Sequence, residues 1–347
     1  MRARDAAGNE SSPSMALGVT LATEDNLPDD PSVVASPIDP TLPSDIARDT
    51  AFLYTGPNPI QTGVIDGTIE PRRAAVLRGL VTNASGTPLS GVSITVLDHP
   101  EFGSTKTRAD GMFDLAVNGG GALTLVYSRS GFLPVQRTID APWRDYAWLP
   151  DVVLTALDTA STTITLDGSS DPLMVRGSAE TDADGSRRST LLFPAGTTAT
   201  MVLPNGNVQD LTTLTVRSTE YTVGDSGPDA MPGELPAYSG YTYAVELSVD
   251  EAIAAGATKV QFDRPIWHYV ENFIGFPVGS IAPSGYYDRE AAAWVAAENG
   301  RVVAIVSKDA NNWANLEFIT AMILRKGCLS AAMEHKYLHK APLSSAL

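Results

Sequence analysis

Between Ala74 and Ala156 the apolar residues fall in short runs or in strict alternation, broken at nearly regular intervals by turn dipeptides. Alternation with period two buries one face of a strand, so the pattern predicts strands at Ala75 to Val81, Val92 to Leu97, Met112 to Val117, Ala122 to Tyr127 and Asp151 to Thr155. Ser85-Gly86, Asp110-Gly111 and Asn118-Gly119 lie between them and tolerate the positive φ angles of tight turns. The same texture runs on from Thr162 to about Val306. It predicts strands at Thr162 to Leu166, Thr190 to Phe193, Thr198 to Leu203, Leu211 to Arg217, Thr242 to Leu247, Lys259 to Phe262 and Val302 to Val306, with hairpins at Asn205-Gly206 and Asn299-Gly300. One short helix is expected where Ser248-Val-Asp-Glu251 reads as a capping box and Gly256 as a stop.

Outside this texture the chain changes character. From Met1 to about Thr50 it is polar and acidic, and Pro28, Pro31, Pro37, Pro40 and Pro43 predict a disordered leader. Residues 51–73 read as an irregular linker. After Asp309, Arg325, Lys326, Lys336 and Lys340 outweigh Glu317 and Glu334, and the segment 309–347 reads as a short helical C-terminal tail. The expected architecture is therefore all-β: a leader at 1–50, a linker at 51–73, a sandwich at 74–157, a second β-rich region at 158–308 that divides into one or two sandwiches, and a divergent tail.

Composition narrows the partners. The 347 residues carry 40 Asp plus Glu against 24 Lys plus Arg, a net charge of -16, which repels phosphate backbones and anionic headgroups. Neither nucleic acid nor membrane insertion is expected, since no window approaches the roughly 18 apolar residues of a spanning helix and no apolar stretch follows the charged N-terminus as in a signal peptide. The single cysteine, Cys328, excludes an intramolecular disulfide.

The segments Leu77-Arg-Gly-Leu-Val81, Gly86-Thr-Pro-Leu-Ser-Gly-Val-Ser-Ile-Thr-Val96 and Thr107-Arg-Ala-Asp-Gly-Met-Phe113 resemble the carboxypeptidase regulatory-like domain, a transthyretin-like β-sandwich. A longer likeness runs from Phe52 to Val306 through Leu53-Tyr-Thr-Gly56, Asn58-Pro-Ile-Gln-Thr-Gly63, Glu70-Pro-Arg-Arg73, Thr219-Glu-Tyr-Thr-Val-Gly224, Tyr241-Thr-Tyr-Ala-Val-Glu246, Tyr269-Val-Glu-Asn-Phe273 and Gly285-Tyr-Tyr-Asp288. Together these are similar to the N-terminal region of bacterial RHS or YD-repeat proteins, the teneurin-like family. The resemblance implies an extracellular or cell-surface setting, with β-modules that precede a shell of YD repeats and pack against it or anchor it. No such repeat stands in the chain, and the likeness stops near Val306 to Asp309, so a truncated or frameshifted reading frame is expected.

Candidate chemistry is sparse. There is no Gly-x-Ser-x-Gly elbow, P-loop or dinucleotide fingerprint, and His99-Pro-Glu101 lacks the spacing of a metallopeptidase, so no enzyme is expected and no cofactor. Asp182-Ala-Asp184-Gly185 places two carboxylates before a sharp turn, as a calcium loop would. Ser186 or Arg187 then fills the third acidic position, which favours a plain acidic turn. Cys328, His335 and His339 have zinc-ligand chemistry but fall in the divergent tail, and Glu271 reads as a turn-capping acid. Trp143, Tyr146 and Trp148 cluster between Pro142 and Pro150, where aromatic rings serve either as core or as a platform for sugars. The alternative to a shell-packing role is accordingly an adhesive module for a glycan, a surface protein or calcium. Exposure of Trp143 and Trp148 would favour it, whereas tight packing between modules without a pocket would favour the first.

Overall fold

The computed structural model describes residues 27–37, 39–224, 226–236, 240–308, 313–324 and 341–342, with backbone alone at 228, 306, 308, 313–324 and 341–342. The chain is mostly strand. The first sandwich is built from β1 (Ala74–Asn83), β2 (Ser93–Val96), β3 (Ser104–Lys106), β4 (Met112–Asn118), β5 (Gly121–Ser128), β6 (Val135–Ala141), β7 (Tyr146–Trp148) and β8 (Val152–Leu154). One layer runs β4-β1-β7, with β8 also on β1; the other runs β3-β2-β5-β6. β7 and β8 run parallel to β1, while β4 pairs with it antiparallel from Ala74↔Asn118 to Leu80↔Met112.

Alternation sends Leu77, Val81, Ile94, Leu115, Leu125 and Leu154 into one core, where each contributes about 1.5–3 kcal/mol by leaving water. Phe113 drops into that core edge-on to Tyr127, with ring centroids 5.7 Å apart. Its cross-strand partner has to be small. Gly79 sits opposite, and a Cβ there would stand 3.1 Å from the Phe113 ring.

Two short turns stand within the described part of the expected leader. Asp30 caps a single turn, α1 (Pro31–Val34), and Asp45 caps α2 (Ile46–Asp49). Proline at the first helical position loses no bond that the helix would have made, so the prolines shorten these turns without abolishing them. The stretch at 51–73 is likewise tied down. Leu53 and Ile60 are buried with Val76 and Ala116 on the outer face of the β4-β1 sheet, and Val34, Phe52 and Tyr54 pack onto the cluster. Gln61 is fully buried: its Nε2 donates to the Phe102 and Ala116 carbonyls at 2.7 and 2.9 Å, and its Oε1 accepts from the Ala116 amide. Residues 1–26 lie outside the described residues.

The second region comprises β9 (Thr162–Thr165), β10 (Leu173–Asp182), β11 (Gly185–Phe193), β12 (Ala199–Val202), β13 (Val208–Leu211), β14 (Thr213–Glu220), β15 (Val245–Val249), β16 (Lys259–Phe262), β17 (Trp267–Val270), β18 (Ile281–Ala282), β19 (Gly285–Asp288), β20 (Ala293–Ala296), β21 (Gly300–Lys308), β22 (Trp313–Leu324) and β23 (Ala341–Pro342). Sheets β15-β14-β9 and β13-β12-β16 close over a core containing Leu191, Phe193, Leu214, Val216, Leu247 and Val260. A larger sheet runs β10-β11-β17-β22-β21-β18, with β23 on β22, and β19 pairs with β20 as a separate hairpin.

Three local expectations fail here. The tail between 313 and 324 is a strand, because β21 and β17 offer it edges and helix propensity is a weak preference that pairing overrides. Asn299-Gly300 makes no hairpin: β20 before it and β21 after it belong to different sheets. α3 (Asp250–Ala254) forms without a capping box. Val249 stands at its N-cap, Ser248 is buried in β15, and Glu251 turns away to accept from the Thr215 amide and hydroxyl at 2.8 Å each.

Candidate functional sites

Strand β7 lies at the edge of the outer layer, and alternation points Tyr146 and Trp148 to one side. They are 49% and 62% exposed, and Trp143 is 64% exposed. The Arg78 guanidinium on neighbouring β1 lies 5.3 Å from the Tyr146 ring centre and 5.9 Å from that of Trp148. Arg78 is itself anchored: its Nε donates to Asp114 Oδ1 at 2.8 Å, and Arg108 Nη1 holds Asp114 Oδ2 at 2.7 Å. The structure thus brings Tyr146 and Trp148 together over one cation. Trp143 packs elsewhere, against Gly120 at the β4–β5 turn, where a Cβ would overlap its indole nitrogen.

The acidic turn at Asp182 and Asp184 has a cation of its own. Arg187 Nη1 and Nη2 donate to Asp182 Oδ1 and Oδ2 at 2.6 and 2.7 Å, and Oδ1 also accepts from the Asp184 amide. Arg187 Nε holds Glu220 at 2.7 Å, and the guanidinium lies 4.7 Å from the centre of the Phe273 ring. Asp182 is held well below the usual carboxylate range, chiefly by its bonds to Arg187. Glu220 is pushed up, because burial outweighs its bonds to Thr222 and Arg187. A calcium ion would have to displace a guanidinium that is nearly inaccessible. Among the described residues no group of three or more His, Cys, Asp or Glu could hold a metal ion, and Cys328, His335 and His339 lie outside them.

Glu271 accepts from the Arg188 amide at the end of the β11–β17 pair, and His99 Nδ1 bonds Glu101 at 2.8 Å two residues away, both as structural contacts. Sequence reasoning passed over a buried Ser189 and His268, whose Oγ and Nε2 stand 2.9 Å apart beside a cleft of about 250 Å³. Ser189 Oγ donates to Ser218 Oγ at 3.0 Å, which leaves His268 Nε2 as donor to the serine, the reverse of a base activating a nucleophile. Only the pairing of β11 with β17 and the approach of β14 from another sheet make these contacts, so no local motif announces them.

A seam joins the two regions. Gln136 on β6 donates its amide to the Pro232 carbonyl at 2.8 Å and its Nε2 to the Arg289 carbonyl at 3.1 Å, and accepts from the Tyr287 hydroxyl at 2.9 Å. The neighbouring Arg137 donates to the Met231 and Asp229 carbonyls at 3.0 and 2.7 Å. Leu133, Tyr221, Met231 and Ala244 form a small apolar core alongside. Next to it opens a cavity of about 590 Å³ between Tyr241–Glu246 and the β19–β20 hairpin, with Phe276, Ile281, Tyr286 and Trp294 on its walls. The absence of a pocket expected of a purely packing role is therefore not met.

Fold and contacts together define a β-sandwich scaffold whose modules are cross-linked through buried polar groups. Residues 69–154 match the family profile of the Teneurin TTR-like domain. The chain is 39% identical to mouse Teneurin-3 over 109 residues, covering 31% of this chain and 4% of that protein. It is 45% identical to chicken Teneurin-1 over 95 residues, covering 27% and 4%, and 39% identical to Teneurin-m of Drosophila melanogaster over 98 residues, covering 28% and 4%. The chain thus spans a small fraction of the length of these relatives, which are animal proteins where the sequence resemblance pointed to bacterial ones. Among solved structures it is similar to the minor pilin GBS52 of Streptococcus agalactiae, with a TM-score of 0.22 at 13% identity over 26% of this chain and 48% of that one. It is also similar to hydroxyquinol 1,2-dioxygenase of Pseudomonas putida DLL-E4, with a TM-score of 0.22 at 11% identity over 26% and 58%. Neither likeness bears on function. No helix among the described residues is long and apolar enough to cross a membrane.

Proposed function

We propose that this chain is a non-enzymatic, extracellular presentation region of a YD-repeat protein, a rigid pair of β-modules that packs against the repeat shell. The seam carries this reading. Two adjacent β6 side chains, Gln136 and Arg137, are buried by bonds to carbonyls of the other region, so the modules form one block whose relative orientation is set. The cavity beside the seam departs from the pocket-free packing this role implies, and Phe276 and Ile281, exposed at its rim, are the apolar groups that a shell would have to cover. Co-expression with the YD-repeat portion of a teneurin tests it. The wild-type chain is expected to co-purify with that shell, and the double variant Phe276→Asp, Ile281→Asp to fold normally by circular dichroism yet lose the association. Failure of the wild-type chain to associate would sink the reading.

A second, adhesive reading is supported by one observation, the exposure of Trp143, Tyr146 and Trp148 on the first sandwich. It places the partner outside the protein, on a side of the molecule that the seam does not use.

A further inference from the structure

We propose that Tyr146 and Trp148, set over Arg78 on the edge strand β7, form a stacking ledge for a neutral pyranose sugar. The inference rests on the adhesive reading. Residues two apart on a strand stand about 6.6 Å from each other on one face, so the two rings offer a platform of the dimensions of one or two linked sugar rings. An aromatic face carries partial negative charge and attracts the polarised C–H face of a pyranose, while the rim of hydroxyls stays in water.

Rigidity makes such a shallow site effective, because a weak ligand cannot supply the energy to order mobile side chains. Here the order is built in. Arg78 contacts both rings, Asp114 holds Arg78, and Arg108 holds the second oxygen of Asp114, which is itself buried. The ledge therefore hangs from an ion triad formed by the strand pair β1–β4 and the turn before β4.

The same contacts select the chemistry of the ligand. Asp114 is shared by Arg78 and Arg108, Asp110 lies 3.8 Å from Arg108, Arg144 and Arg48 are paired with Asp45 and Asp49, and Asp145 adds a further negative charge in a chain of net charge -16, so an acidic glycan meets cations that already have carboxylate partners. Addition of a partner strand to β7 is hindered, since the Tyr146 amide is already taken by the Asp145 carboxylate at 2.8 Å. A folded protein partner needs roughly 800 Å² on its side of an interface, more than two rings and a guanidinium provide. A neutral saccharide needs no more than this.

The test titrates the intact chain with chitotetraose, cellotetraose, mannotetraose and a heparin-derived tetrasaccharide, following tryptophan fluorescence and calorimetry, with Trp148→Ala, Tyr146→Ala and Trp143→Ala alongside. All three positions are exposed by about half or more, so the variants are expected to fold, which circular dichroism checks. Saturable binding of at least one neutral tetrasaccharide, weakened about tenfold or more by Trp148→Ala and Tyr146→Ala and little by Trp143→Ala, is the expected result, a loss on the scale of about 1.4 kcal/mol. Binding of the heparin fragment alone, or of no sugar, would overturn the proposal. A parallel assay on cultured cells separates it from the adhesive reading. Cell binding that survives enzymatic removal of surface glycans, yet is lost in Trp148→Ala, keeps adhesion but assigns the ledge to a protein.

Discussion

At the scale of single residues, Arg187 is a charge with little access to water. Arg187 joins Asp182 and Glu220 and stacks on Phe273, so three elements meet on one guanidinium. Removing it leaves Glu220 buried without its cation, a change that costs about 3–5 kcal/mol. Arg187→Met is expected to lower the free energy of unfolding in urea by that order; a value within error of wild type would show that water replaces the guanidinium. The acid dependence has a definite sign. Asp182 is depressed below its unfolded value, so its stabilisation is fully present above about pH 4 and is lost as pH falls through the folded value. Asp182→Asn is thus expected to be less stable than wild type at neutral pH, with the gap narrowing toward the acid limit. Glu220 runs the other way: burial raises it, so ionising it as pH rises works against the fold and partly offsets Asp182. Denaturation at neutral and at acid pH reads both effects, and a gap that widened on acidification would contradict the assignment.

At the scale of elements, the β19–β20 hairpin is the piece most dependent on its surroundings, since a lone two-stranded ribbon is marginal in water. It is held by Tyr287, whose ring fills the space above Gly233, and by Trp294 Nε1, which donates to the Gly233 carbonyl at 3.3 Å. A Cβ at position 233 would fall 2.1 Å from a Tyr287 ring carbon. Gly233→Ala should therefore unseat the hairpin at a cost of about 1–3 kcal/mol, seen as faster amide exchange across 285–296 and earlier tryptic cleavage at Arg289. Unchanged exchange would mean that Tyr287 swings aside freely. β22 makes the complementary point, because its sequence favours helix and its pairing with β21 and β17 imposes strand.

At the scale of the whole molecule, Gln136 and Arg137 tie two cores into one unit. Domains that share a buried polar interface unfold together when the interface is worth more than the difference between their own stabilities. A single thermal transition is expected for the wild-type chain. Arg137→Ala combined with Gln136→Ala should separate it into two, and a single unshifted transition in the double variant would show that the apolar contacts of Leu133 and Met231 suffice.

What the residues determined by themselves is the all-β class, the place of the first sandwich and most of its turns. Those features depend on local alternation and on Asx and glycine chemistry, as where Asp110 accepts from the Met112 amide beside Gly111. The ordered turns at 31–34 and 46–49, the strands β6 and β7 and the strand at 313–324 were decided by tertiary structure. In β6 the polar Gln136 and Arg137 are buried by a region nearly a hundred residues away in sequence, so its hydrophobic pattern carries no mark of its burial. The aromatic cluster was legible as composition, but its arrangement was not: Arg78 lies far from Tyr146 and Trp148 along the chain, and only the parallel pairing of β1 with β7 lays one guanidinium against both rings.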